Sequence, residues 1–120
     1  MIMLNQPLPE KTRVTTEPLF FPGQIIRHKR YGYVGVIVAV DSTCQAEEAW
    51  YQANQTQPQK NQPWYHVLVD GTNQTTYPAQ SSLEADPDPN PAPISHPYLE
   101  LFFSDFLGDR YERNDRPWPG

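Results

Sequence analysis

The chain has 120 residues, a length that fits one domain, with fourteen prolines, a mean hydropathy of −0.70 and a formal net charge of −5. No apolar run approaches the roughly 18 residues of a membrane span, and the N-terminus lacks the basic start and long apolar stretch of a signal peptide. We therefore expect a soluble, cytoplasmic protein. The acidic balance disfavours a protein that holds DNA mainly through phosphates, because such proteins carry a surplus of Lys and Arg.

The first residues differ in pattern from those that follow. Residues 1–20 mix prolines with polar residues and show no periodicity, which predicts a flexible N-terminal tail. Beyond them, Pro22 and Gly23 precede Ile25 and Ile26, a pattern typical of a strand that leaves a turn. The folded body is therefore expected to begin near residue 21.

A second strand is predicted where "YVGVIVAVD" alternates with period two in β-branched residues. Valines at every second position share one predicted face: Val34, Val36, Val38 and Val40. Apolar residues also occupy the other face. This predicts a strand that is covered on both sides, or one that curls at Gly35.

The segment "STCQAEEAWYQANQ" favours a short helix. Ser42 is a candidate N-cap, with Gln45 three residues on and the acids Glu47 and Glu48 in the first turns. Alanines and Trp50 follow at helical spacing. The single cysteine of the chain, Cys44, lies in this segment and excludes an internal disulfide.

A β-hairpin is predicted over "WYHVLVDGTNQTTY", because Asp70-Gly71 is a turn signal between two strand patterns. Trp64 and Tyr65 point to opposite faces of a regular strand, so at most one of them is expected in the core. Pro78 cannot donate to a strand ladder and should end the second arm.

The remainder of the chain divides into two parts. Prolines at alternate positions predict an extended connector over 86–97 that acts as a spacer outside the core. Beyond it, the C-terminal extension 98–120 is rich in aromatic residues. Leu99, Phe102, Phe103 and Phe106 have the spacing of one or two turns of an amphipathic helix that would end at Gly108. We expect this extension to dock on the body of the protein.

The order of these motifs resembles the YccV-like family, also called the hemimethylated-DNA-binding or HspQ family. The resemblance covers about residues 21–114 and is carried mainly by "RHKRYGYVGVIV", "QPWYHVLVD" and "HPYLELFFSDFLGDRYERN". It implies a mainly-β fold, a small SH3-like β-barrel over 21–85 with a short helical insert and the aromatic-rich extension. It also implies a protein without a cofactor.

The same resemblance implies two functions. Members of the family are associated with binding of hemimethylated DNA and with a heat-shock role as adaptors for Clp or Lon-type proteolysis, and eukaryotic relatives carry the domain in F-box proteins. The chain departs from the family where "YPAQSS" places Gln80 at a position usually held by an acid. If that acid contacts a partner, the contact is weakened here, and Gln80→Glu would strengthen it.

The residue types do not predict an enzyme. The three histidines are isolated from one another, and the chain has neither a Cys-x-x-Cys pair nor a Gly-rich phosphate loop. A catalytic site and a metal site are therefore not expected. His66 is interpreted as a histidine that packs on an aromatic ring while one nitrogen bonds to backbone or a carboxylate, with ligand contact as the alternative.

One basic cluster, "RHKR", could meet phosphates or an acidic protein segment together with two neighbouring tyrosines. A solvated turn is the alternative interpretation. The predicted hairpin supplies further surface residues. The candidate binding residues are Arg27, His28, Lys29, Arg30, Tyr31, Tyr33, Trp64, His66, Tyr77 and Gln80.

Two functions from different classes remain. The first is a protein quality-control adaptor that binds a Clp or Lon-type protease, or its substrates, through an edge strand and an aromatic surface. The alternative is a module that binds hemimethylated DNA through the "RHKRYGY" face. We favour the adaptor because of the net charge of −5. The oligomeric state stays open.

Overall fold

The fold is described from a computed structural model that covers residues 15–119. An antiparallel five-stranded sheet forms its centre, with strand order β4-β3-β2-β1-β5. Within the described residues the edge strands β4 and β5 do not pair, so the sheet is open rather than a closed barrel. The mainly-β prediction is confirmed. The strands of this sheet are β1 (Ile25–His28), β2 (Val34–Asp41), β3 (Trp64–Val69), β4 (Thr75–Thr76) and β5 (Leu83–Ala85).

Strand β2 contains an irregularity that the alternation of valines did not reveal. Its pairing with β3 runs Ile37 to Val67 and then Ala39 to His66, so Val38 is an extra residue on β2. A bulge of this kind reverses the faces of the residues beyond it. Val40 therefore packs with the cluster on the opposite face from Val38, and the prediction that all four valines share one face is wrong.

Both faces of the sheet are covered by apolar side chains, as the second strand predicts. One face carries Ile25, Val36 and Leu68, which pack against the C-terminal segment. The other face carries a smaller cluster that includes Tyr65. Because both faces are covered, Trp64 and Tyr65 are both buried, contrary to the expectation that one of them is exposed.

The C-terminal segment forms one helical turn followed by a hairpin, so the predicted helix does not continue to Gly108. The turn is α2 (Leu99–Phe102), and the hairpin joins β6 (Phe103–Phe106) to β7 (Tyr111–Arg113). In a helix, the backbone N–H and C=O groups of these residues would bond within the helix. In β6 they bond to β7 instead. Phe102, Phe103 and Tyr111 belong to the larger core cluster, so this segment packs on the sheet.

The proline-rich segment 86–97 is not a spacer outside the core. Ile94 is buried in the larger cluster, and its N–H donates to the Tyr111 hydroxyl at 2.8 Å. His96 is also buried, and its Nε2 lies 2.9 Å from the carbonyl oxygen of Gln74. The segment forms neither helix nor strand, but it still buries side chains that face the sheet.

The helical insert is shorter than predicted. Helix α1 (Glu48–Ala53) begins after Glu47 instead of Ser42, without a side-chain cap, and none of its residues is buried. Aromatic contacts connect it to the sheet: the Trp50 ring lies 6.3 Å from Trp64 and 5.7 Å from Tyr77, centroid to centroid. The insert therefore rests on the sheet through its aromatic side chains.

Candidate functional site: an aromatic groove

An open groove of about 470 Å³ lies between the β1–β2 turn, the β3–β4 hairpin and the helical insert. It brings together six of the predicted binding residues from two distant parts of the chain. Its lining also includes residues of the helical insert, some within α1 and some after it. The predicted residues in the groove are His28, Tyr31, Tyr33, Trp64, His66 and Tyr77.

One wall of the groove is organised by His28, which is only 6% exposed. Its Nδ1 accepts hydrogen bonds from the backbone N–H groups of Arg30 and Tyr31, each at 3.1 Å. The His28 ring stacks on Tyr31 at 4.7 Å and lies 5.1 Å from Tyr33. His28 therefore holds the turn in the shape that presents Tyr31, whose residue surface is 54% exposed.

His28 is expected to make the stability of the protein depend on pH. Burial, and secondarily the charge of Arg30, lowers the pKa of His28 below its ordinary value of 6.5. The unfolded chain therefore binds a proton at a higher pH than the folded chain, and stability is lost as the pH falls from about 6.5 to the lower folded pKa. We expect a smaller loss in His28→Asn, measured by urea unfolding between pH 7.5 and 5. Equal pH slopes in the two proteins would contradict this assignment.

The basic cluster contributes less positive charge to the surface than its sequence suggests. Arg27 forms an ion pair with Glu84 at 2.7 Å, from the neighbouring strand β5. His28 is buried and accepts hydrogen bonds at Nδ1, as an uncharged imidazole does. Lys29 and Arg30 are exposed, and Arg30 lies 5.9 Å from the centre of the Tyr31 ring. Two exposed cations therefore remain near the groove.

The opposite wall is built around Asp41, at the end of β2. Its Oδ2 accepts a hydrogen bond from the Tyr77 hydroxyl at 2.7 Å and lies 3.1 Å from His66 Nε2. The His66 ring packs on Tyr77 at 4.5 Å. This arrangement confirms the interpretation of His66 as a histidine that packs on an aromatic ring and bonds to a carboxylate. Burial, and then the bond to Asp41, raises the pKa of Tyr77.

Trp50 lines the groove, and Asp41 holds two of its lining residues, His66 and Tyr77; neither was selected from the sequence. Trp50 is 40% exposed on a helix that buries no residue, so its exposure is not required by the core. A tryptophan on such an insert is the signal that could have found it. Beneath it, Trp64 is buried, and its Nε1 has no hydrogen-bond partner among the described residues. The indole N–H of Trp64 is thus a buried donor without a hydrogen-bond partner within 15–119.

Gln80 does not belong to the binding surface, since it is 5% exposed. Its Oε1 accepts hydrogen bonds from the Tyr65 hydroxyl and from the Leu19 N–H, the latter at 2.8 Å. Its Nε2 donates to the carbonyl oxygens of Glu17 at 3.0 Å and Thr15 at 3.4 Å. Gln80 thus attaches the described part of the predicted tail, residues 15–20, to the sheet. The rest of that tail, 1–14, lies outside the described residues.

The Gln80→Glu substitution is therefore expected to destabilise the protein by about 1–2 kcal/mol instead of strengthening partner binding, because a carboxylate cannot donate to Glu17 and Thr15. Chemical unfolding and the rate of proteolysis within residues 15–19 measure the effect. Gln74→Glu is the matched control, since Gln74 is exposed. Unchanged stability together with tighter partner binding would restore the original prediction.

The described residues offer no arrangement for a metal ion, since no group of three or more His, Cys, Asp or Glu is suitably placed within 15–119. Over the same range, none of the helices has the length and apolar character needed to cross a membrane. The chemistry that the groove provides is aromatic contact, hydrogen bonding and a small amount of charge of both signs.

The chain is similar to a known protein family over most of its length. The family described as "Hemimethylated DNA-binding protein YccV like" matches residues 18–110. The chain belongs to the YccV-like family. The match includes both walls of the groove and ends just before β7 of this YccV-like protein. No solved structure matches the chain with statistical significance.

Curated relatives of this YccV-like chain include F-box only protein 21. The human and Pongo abelii proteins are each 38% identical over 95 residues, and the Mus musculus protein is 37% identical over the same length. These alignments cover 77% of the present chain but 15% of each relative. The similarity therefore concerns one region of much longer proteins.

Proposed function

We propose that this YccV-like protein is a non-enzymatic adaptor whose aromatic groove binds a segment of a partner protein in quality control. The observation that carries the proposal is the convergence of exposed aromatic rings, Tyr31 from the β1–β2 turn and Trp50 from the insert, at one groove. Tyrosine and tryptophan supply large contact area at low cost in conformational entropy, and they are enriched at the centres of protein interfaces.

The charges around the groove favour a protein partner over a phosphate backbone. Lys29 and Arg30 are exposed at one end, but Arg27 is paired with Glu84. Beside Trp50 and Tyr77, which line the groove, an adjoining pocket carries the acids Asp41 and Glu47. A phosphate backbone that followed the whole groove would approach these carboxylates, which costs free energy. A polypeptide can place groups of either sign along its length.

The proposed partners are a Clp or Lon-type protease or the substrates of such a protease. In the F-box only protein 21 relatives, the region similar to this chain is 15% of a longer protein, as expected for one recognition unit among other parts. An adaptor needs only to hold one protein near another, so the lack of a catalytic arrangement among the described residues is compatible with this role.

The test is the degradation rate of a model substrate by purified Clp or Lon with and without the protein. We expect the wild-type chain to change the rate, and Tyr31→Ala and Trp50→Ala each to reduce that effect by about fivefold or more, as for interface residues worth above about 1 kcal/mol. Leu107→Ala is the control, because Leu107 is equally exposed but lies outside the groove. An unchanged rate with both proteases would refute the adaptor role.

Hemimethylated DNA is a second candidate partner, favoured by the family description and by the position of Lys29 and Arg30 beside Tyr31. Phosphate contacts by these two cations would make binding weaken with increasing salt, with a slope of roughly −0.9 per phosphate contacted. Binding to hemimethylated and unmethylated duplexes of the same sequence, at several salt concentrations, tests this function. The absence of a complex even at low salt would exclude it.

A further inference from the structure

A second pocket of about 360 Å³ adjoins the groove on the side of the helical insert. It shares Trp50, His66 and Tyr77 with the groove, so the two spaces lie side by side. The rest of its lining comes from the end of β2 and from the segment that precedes α1. Two of these residues, Asp41 and Glu47, are acids. The pocket therefore combines aromatic rings with negative charge.

The two principal rings stand at a steep angle to each other. Trp50 and Tyr77 are 5.7 Å apart between centroids, with 60° between their planes. Tyr77 is held in place by its bond to Asp41 and by the Gln45 N–H, which donates to its hydroxyl at 3.0 Å. Two aromatic walls at an angle are the arrangement in which a cation can contact more than one ring.

Among the described residues, His66 is the basic side chain that contacts an acid of the pocket, with its Nε2 3.1 Å from Asp41 Oδ2. Within 15–119, neither Asp41 nor Glu47 forms an ion pair with Lys or Arg. Asp41 uses Oδ2 for the Tyr77 hydroxyl and for His66, which leaves Oδ1 without a bond among the described residues. The lining residues include no Lys and no Arg. An entering cation would meet Oδ1 of Asp41 and the carboxylate of Glu47, while Oδ2 of Asp41 is already bonded to Tyr77 and His66.

We propose that this pocket binds the cationic side chain, lysine or arginine, of the protein segment that occupies the adjoining groove. This inference rests on the proposed function, since the segment is the one that the groove holds. The apolar stem of such a side chain would contact Trp50 and Tyr77, while its charged head would approach Asp41 and Glu47. The pocket would thereby select segments with a basic residue at one position.

A small probe tests the pocket independently of the groove. Nα-acetyl-lysine methylamide is titrated into the full chain, and the backbone amide signals of Gln45 and Ala46, both in the pocket lining, are followed by NMR. The norleucine analogue has a similar stem without the charge, and the arginine analogue distinguishes the two basic side chains. We expect both cations to bind about five- to thirtyfold more tightly than the norleucine analogue, as a cation–π contact with a nearby carboxylate implies.

Two variants relate the binding to particular residues. Trp50→Leu keeps an apolar wall but removes the aromatic ring, and Glu47→Gln removes one charge; each should weaken lysine binding at least about threefold. Glu112→Gln, an exposed acid on β7, should leave it unchanged. Equal affinity for the norleucine analogue, or no saturable shift with any probe, would overturn the cation pocket. The adaptor function would then still be decided by the Tyr31→Ala and Leu107→Ala comparison in the degradation assay.

Discussion

Gly23→Ala is expected to lower the free energy of unfolding by about 3–5 kcal/mol, near the upper end of single substitutions. Two causes combine at this position. Gly23 has φ of 99°, which a residue with a side chain rarely adopts, and an added Cβ would overlap the carbonyl oxygen of Tyr111. Gly23 also donates its N–H to Ile37 and accepts from the Tyr111 N–H. A backbone shift that relieved the overlap would break these bonds between the sheet and the C-terminal hairpin.

Gly108→Ala tests the cost of the positive φ alone, without the overlap with a neighbouring atom. Gly108 has nearly the same φ, 97°, but a Cβ added there would have no heavy atom within 4 Å. We expect it to cost about 1–2 kcal/mol, the backbone term alone. Urea unfolding of both variants measures the difference. Equal losses in the two variants would show that close approach of Tyr111 does not constrain Gly23.

Arg113→Met is expected to cost about 2–3 kcal/mol, because it leaves several partly buried carbonyl groups without a donor. The Arg113 Nε donates to the carbonyl oxygen of Val38, the bulge residue of β2, at 2.8 Å. Its Nη1 donates to the carbonyl and side-chain oxygens of Asn114 at 2.9 and 3.1 Å. The guanidinium also lies 5.0 Å from the centre of the Phe102 ring. Arg113 thus joins the bulge to the C-terminal segment.

Arg116→Met is the matched control, since Arg116 is exposed and its side chain makes no bond or ion pair within the described residues. We expect it to change stability by less than about 0.5 kcal/mol. Arg113→Lys should restore little, because an ammonium group cannot reproduce the planar set of donors. If Arg113→Met were as stable as Arg116→Met, the bond to the bulge would contribute nothing measurable.

The contacts of Arg113 differ from those that the charges of its sequence neighbours predict. In the sequence, Arg110, Arg113 and Arg116 alternate with acids and predict a surface on which the charges largely cancel. In the structure, burial lowers the pKa of Arg113, and its donors meet carbonyl oxygens rather than acids. The bulge that exposes the Val38 carbonyl results from the pairing of β2 with β3. The residues near Arg113 in the sequence therefore do not predict it.

Local sequence patterns predicted the elements whose residues all favour the same backbone conformation. Alternation of β-branched residues located β2 and β3, and Asp70-Gly71 marked the turn after β3, where Gly71 has φ of 75°. By contrast, the spacing of Leu99, Phe102, Phe103 and Phe106 suits a helix as well as a turn followed by a strand. Pairing with β7 resolved that ambiguity in favour of the strand.

The candidate site also combines features that residue types indicate with features that depend on tertiary contacts. The residue types near Tyr31 and Trp64 indicated candidate binding residues, because aromatic and basic groups in turns and hairpins have few structural reasons to be there. Their meeting at one groove with Trp50, the burial of Gln80 and the pairing of Arg27 with Glu84 depend on contacts between residues far apart in the chain. Strand periodicity follows from local backbone geometry and can be read in one dimension, whereas burial and the neutralisation of charge arise only when distant segments pack together.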